Sequence, residues 1–264
     1  MTSTPSRIVS IDWLATHRDD PNVVVVDVRP EHHYRAGHIS GARNVDIHPM
    51  KILDSDPAAI DRWVNAMQSV FRGLGITLDD HVVFYENISG TSAARGVWLM
   101  EALSIGHGSM LDGGLAAWHA AGHDLSTEPV DVAPSDLIVA LNRNVFATAP
   151  DILSDLENAT GARIVDTRNQ VEWIQGTIPT STHLEWSVHL DATGRFKPME
   201  ELRALYEALD LSPDKEICTF CASGYRAAHT WLVLTELGYE NVRNYAPSWG
   251  EWHRRNDVPI ERPR

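Results

Sequence analysis

The chain is written twice, and that repeat limits its possible folds more than any other feature. An apolar run from Val23 to Val26 ends in Asp27-Val28-Arg29, and a second, from Ala162 to Val165, ends in Asp166-Thr167-Arg168. Gly37-His38-Ile39-Ser40 follows in the first half and Gly176-Thr177-Ile178-Pro179 in the second. Each half then has another apolar run, HVVFY at 81–85 and EICTF at 216–220. A small polar loop and an alanine-rich stretch follow, around Ala93-Ala94 and Ala227-Ala228. Trp118 and Trp252 close the halves. The spacing between matching landmarks stays near one value along the chain, where chance similarity would drift. Two homologous domains are expected.

Within each half, short apolar runs alternate with helical patterns, which predicts an α/β fold with a central, mainly parallel sheet flanked by helices. After Cys221, the residues Ala227, Trp231 and Leu234 recur at i, i+4 and i+7, the period of a buried helix face, and Gly238 stands where a C-terminal cap belongs. The polar segment 126–144 has no counterpart in the repeat and reads as a linker. The expected division is therefore 1–125, linker 126–144, and 145–264.

A length of 264 residues accommodates two such domains, and 43% apolar residues provide for two cores. No stretch approaches the roughly 20 apolar residues that span a bilayer. The opening MTSTPSRIVS has no apolar signal-peptide core, so a cytoplasmic protein is expected. Two cysteines, Cys218 and Cys221, offer no disulfide framework. The formal net charge of -14 makes nucleic acid and anionic membranes unfavourable partners. An anionic substrate would need donors arranged locally against that background.

One loop supplies them. Cys221-Ala222-Ser223-Gly224-Tyr225-Arg226 joins the EICTF strand to the helical AAHTWLVLTEL stretch. Ala222, Ser223 and Gly224 are small enough for a tight curl, and Gly224 can take positive φ. Curled backbone N–H groups form an anion nest, and the helix N-terminus behind them adds its dipole. Arg226 contributes a permanent positive charge. Together these favour the thiolate, the nucleophilic form of Cys221. The carboxyl end of a parallel strand is also where open α/β sheets place their sites.

Other readings exist for these residues. A lone cysteine after an apolar strand is often an inert core residue, although the small loop and helix start argue otherwise here. A Cys218–Cys221 redox pair is unfavourable, because strand residues three apart point to opposite faces and lie roughly 10 Å apart. The 13 histidines show no ligand spacing with the cysteines, so no metal site is expected. Cysteine phosphatases use a similar cradle, but their loop resembles Cys-x5-Arg. Here four residues separate Cys221 from Arg226, and the shorter ring suits a single sulfur better than a phosphoryl group.

The chain resembles the tandem-domain rhodaneses, the thiosulfate and 3-mercaptopyruvate sulfurtransferases, over nearly its whole length. The segment from Tyr34 to Ala42 is similar to the family's amino-terminal signature, with Ser40 where proline is usual. VRNYAPSWGEW, residues 242–252, is similar to the carboxyl-terminal signature, with Pro247 where glycine is common and at a turn expected to lie away from Cys221. The resemblance implies two rhodanese-like domains of which only the second is catalytic, because Glu86 matches Cys221 in the first. It implies Cys221 as nucleophile, Ala222 to Arg226 as the substrate-binding loop, and Asp166 and Arg168 as a supporting ion pair. Glu172 falls near a position where some thiosulfate enzymes carry a substrate-binding arginine, so that contact is not expected.

The implied reaction is double displacement without metal or organic cofactor. Cys221 takes sulfur from a small anionic donor and passes it as a persulfide to a thiophilic acceptor, cyanide or a thiol. The small neutral Ala222-Ser223 resembles mercaptopyruvate enzymes, whereas Arg226 can face a dianion and favours thiosulfate. A non-catalytic sulfur-carrier or regulatory module stays open as a reading of another class.

Overall fold

The computed structural model describes residues 6–263. The first half contributes strands β1 (Ile8–Val9), β2 (Val23–Asp27), β3 (His38–Ile39), β4 (Arg43–Asn44), β5 (His81–Tyr85), β6 (His107–Leu111) and β7 (Leu125–Ser126). The second contributes β8 (Phe146–Ala147), β9 (Arg163–Asp166), β10 (Thr182–His183), β11 (Ile217–Phe220) and β12 (Val242–Tyr245). Among the described residues one sheet has the order β1-β6-β5-β2-β4 and the other β8-β12-β11-β9-β10, with every neighbouring pair parallel. Matching strands occupy matching places, so the repeat in the sequence is a repeat of topology.

The parallel pairing explains the composition of the central strands. β2 and β5 carry four consecutive buried residues each, and β11 is buried throughout, as expected for strands covered on both faces. The helices that cover them are α1 (Ile11–His17), α2 (Glu31–Ala36), α3 (Pro57–Gly73), α4 (Thr91–Ala102), α5 (Gly114–Ala120), α6 (Ala149–Asn158), α7 (Gln170–Gln175), α8 (Met199–Glu207), α9 (Tyr225–Glu236) and α10 (Ser248–Trp252). In α9, Ala227, Trp231 and Leu234 are all buried. Gly238 follows at φ +89°, and the Tyr239 N–H reaches back to the Leu234 carbonyl at 3.1 Å to close the last turn. Trp118 and Trp252, the landmarks that end each half, sit in the two cores with Leu111 and Tyr85, and with Phe220 and Tyr245.

The compact units do not follow the two halves of the sequence. One comprises the chain up to Met50, Val64–Leu141 and Leu190–Phe196; the other comprises Lys51–Trp63, Asn142–His189 and Lys197 onward. A few polar anchors hold the exchanged segments. In the first unit the Gly194 carbonyl accepts the Ser89 N–H, and the Phe196 N–H donates to Asp112. In the second, Ser55 donates its N–H and its hydroxyl to the buried carboxylate of Glu251, at 2.9 and 2.7 Å.

Residues 126–144, expected as a linker, are largely held by the first unit. Ser126 pairs with His38 in an antiparallel β3–β7 ladder. Further on, Arg72 donates to the Leu137 carbonyl at 2.6 Å, the Val139 N–H donates to Gln68, and the Leu137 side chain is buried. These anchors are a short ladder, side-chain bonds to backbone groups and one leucine, which leave no periodic pattern in the sequence. Among the described residues no helix is long and apolar enough to cross a membrane.

Candidate active site

β9 and β11 run in register, with Asp166 opposite Phe220. The chain therefore leaves both strands at the same sheet edge, and Cys221 is the next residue after Phe220. Beside it, Asp166 and Arg168 form a fully buried ion pair with Nη2 to Oδ2 at 2.5 Å and Nε to Oδ1 at 2.9 Å. Arg168 also donates to the Gly176 carbonyl, and Thr177 donates its hydroxyl to Asp166. The guanidinium lies over the Trp249 ring at 4.5 Å. Thr167, between the two charges, donates its N–H and its hydroxyl to the Phe220 carbonyl at 3.0 Å each. The pair thus braces the strand end that presents Cys221. Asp27 and Arg29 make the same arrangement in the first unit, down to the bond from Arg29 to the Gly37 carbonyl.

The loop curls as its small residues require. Gly224 stands at φ +85° as the N-cap of α9, and its N–H points at the Cys221 sulfur, 3.1 Å away. The Gly224 carbonyl accepts from Nδ2 of the buried Asn244. Cys221 and Tyr225 are buried, while Ala222, Ser223 and Arg226 are partly exposed and form the accessible rim. Arg226 is not an isolated cation. It makes a two-pronged pair with Glu172, at 2.6 and 2.9 Å. Burial works against its charge, yet the hydrogen-bonded Glu172 carboxylate and the Cys221 sulfur outweigh it and raise its pKa. The Arg226 hydrogen bond in turn holds the Glu172 carboxyl below its ordinary range, against the opposing effect of burial.

The turn at Pro247, expected to lie away from Cys221, instead lies against it. Ser248, Trp249 and Gly250 knit directly onto the loop: the Cys221 N–H donates to the Ser248 hydroxyl at 3.1 Å, and the Trp249 and Gly250 N–H groups donate to the carbonyls of Cys221 and Ala222. Gly250 is needed there, because a Cβ would stand 2.9 Å from the Ala222 carbonyl oxygen. Ser248 is fully buried at φ +57°, where a non-glycine residue is strained. The matching residue of the first unit is Gly114, at φ +56°. The signal was present in the sequence as Gly113-Gly114 aligned with Pro247-Ser248, but only the three-dimensional contact gives it meaning. Ser248→Ala leaves a buried Cys221 N–H without its acceptor and is expected to cost about 1–3 kcal/mol. Chemical denaturation checks this; a loss within about 0.5 kcal/mol of zero, typical of neutral surface changes, would show that the hydroxyl holds nothing.

Glu86 occupies the matching position in the first unit and fills its own cradle. Its carboxylate accepts the Ser92 and Ala93 N–H groups at the start of α4, at 2.7 and 3.1 Å. Burial raises its pKa against those two bonds. Gly90 has no room for a side chain, since a Cβ there would lie 2.5 Å from that carboxylate. Cys218 is free and lies in the core within β11, and burial pushes its thiol up to about 12. It is therefore protonated and unreactive at neutral pH.

The Rhodanese-like domain matches the chain twice, over residues 10–121 and 149–255. The chain belongs to the rhodanese family. It is 30% identical to the thiosulfate sulfurtransferase of Azotobacter vinelandii over 91% of this chain and 92% of that protein. It is also 30% identical to the 3-mercaptopyruvate sulfurtransferase of Escherichia coli K12, over 96% and 97%. The crystal structure of SseA from Escherichia coli, described as a rhodanese fold, superposes with a TM-score of 0.80 at 27% identity, covering 93% of this chain and 99% of the other. Two tandem rhodanese domains with parallel-sheet cores are thus the architecture, and sulfurtransferase is the activity of the family. These two relatives, one named for each donor, are equally identical to this chain.

Proposed function

We propose that the protein is a sulfurtransferase that carries sulfur as a persulfide on Cys221, with thiosulfate as donor and cyanide or a thiol as acceptor. The observation that supports this most is the Gly224 N–H aimed at the Cys221 sulfur, inside a loop whose other end is the cation Arg226. The Cys221 thiolate attacks the outer sulfur of thiosulfate. A new S–S bond forms, the old one breaks, and its electron pair leaves with sulfite. The persulfide keeps one negative charge, which the loop N–H stabilises as an oxyanion hole does an oxygen. Cyanide then attacks the outer sulfur, thiocyanate leaves, and the thiolate returns. Asp166 and Arg168 serve by holding the strand end rather than by touching the donor.

A second reading, 3-mercaptopyruvate as donor, draws on one specific observation. The preference for a dianion presumed that Arg226 faces it alone, whereas Glu172 balances that charge. Intact-mass measurement after incubation with each donor tests both readings. One added sulfur atom from thiosulfate is the expected result. Uptake from mercaptopyruvate alone would reverse the choice of donor, and uptake from neither would leave only a non-catalytic binding module.

A further inference from the structure

The Glu172–Arg226 pair has a geometry that goes beyond support. Both guanidinium prongs of Arg226 are engaged, and the two side chains are 21% and 31% exposed, at the accessible rim of the Cys221 loop. Two-pronged pairing fixes the orientation of the guanidinium and cancels its net charge. Glu172 is itself fixed from a second side. It is the third residue of α7, where Asn169 accepts its N–H at 2.9 Å and its own carboxylate accepts the Asn169 N–H. Glu172 also lines a cavity of about 460 Å³ together with Arg168 and Trp249. Trp249 donates its N–H to the Cys221 carbonyl, and Arg168 carries its own counter-ion in Asp166. Each of the two arginines at the loop is therefore matched by a carboxylate.

We propose that Glu172 is a specificity-determining residue that sets the charge selectivity of the donor step: by balancing Arg226, it disfavours a doubly charged sulfur donor relative to a singly charged one. This rests on the reading of Cys221 as the sulfur carrier. The physical basis is that the interaction of a fixed carboxylate with an approaching anion scales with the charge of that anion. Removing the carboxylate therefore helps a dianion about twice as much, in free energy, as a monoanion at the same distance. Cations elsewhere on the cavity rim, such as Arg262, act equally before and after that change and do not enter the comparison.

The test compares thiosulfate with 3-mercaptopyruvate as donor in the full-length chain, native and Glu172→Gln. Glutamine keeps the size of the side chain and can still accept the Asn169 N–H. Its expected effect is a rise of about tenfold in kcat/KM for thiosulfate against about threefold for mercaptopyruvate, so the donor ratio moves toward thiosulfate. Arg226→Gln, which leaves the Glu172 charge unbalanced, is expected to move the ratio the opposite way. It keeps the question answerable if the first variant folds poorly. An unchanged ratio in either folded variant, or the same direction in both, overturns the proposal. Sulfur uptake by the native chain separates the two levels: uptake with an unmoved ratio sinks only the selectivity role, and no uptake from either donor removes the sulfur-carrier reading and this inference with it.

Discussion

Cys221→Ser is expected to take up no sulfur from thiosulfate and to form no thiocyanate, with turnover down by at least about a thousandfold, as for loss of a covalent nucleophile. The variant folds. Cys221 is 1% exposed, serine is nearly the same size, and its oxygen can accept the Gly224 N–H that now points at sulfur. Stability is expected to stay within about 1 kcal/mol of the native chain, so lost activity reports chemistry rather than unfolding. No other thiol can substitute, because Cys218 is held protonated in the core. Intact mass and thiocyanate formation check the result together. Sulfur uptake by the serine variant at the native level would place the carrier elsewhere and refute the mechanism.

The second large effect is on folding. Arg168→Ala strips the buried Asp166 carboxylate of its partner, and breaking a buried pair from one side costs about 3–5 kcal/mol. Here the value belongs at the upper end, since Arg168 also satisfies the Gly176 carbonyl and stacks on Trp249. Urea unfolding of the single variants and of Asp166→Ala/Arg168→Ala measures it as a double-mutant cycle. The double variant is expected to lose less than the two singles combined, because neither charge is left stranded. Strict additivity would mean that the two side chains act independently, against the geometry. Asp27 and Arg29 are arranged alike in the first unit, so the same substitution there is the internal control: stability falls while the Cys221 site is untouched.

Much of this is legible in the sequence. The apolar runs at 23–26 and 81–85 became β2 and β5 because continuous valine-rich segments suit strands buried on both faces. Gly224 was recognisable as a positive-φ residue, since a tight loop entering a helix has few other solutions. The contacts of Ser248 and Gly250 with the loop were not legible. They join residues far apart in sequence through one hydroxyl and several backbone groups, and no local pattern encodes which distant group an N–H will meet. The segments 51–63 and 190–196 were not legible for a related reason: each lies within one half of the repeat but is anchored to the other unit by a few polar contacts.

The repeat, the strand–loop–helix at Cys221 and the loss of that cysteine at Glu86 were determined by the sequence alone, because each is a local pattern of residue type and spacing. What only the tertiary structure decided is how the charges at that loop are balanced. Glu172 and Arg226 stand far apart in the chain, and an arginine that reads as an open anion donor in sequence meets a carboxylate in space. Electrostatics at a site is a sum over neighbours, and neighbours are assigned by the fold.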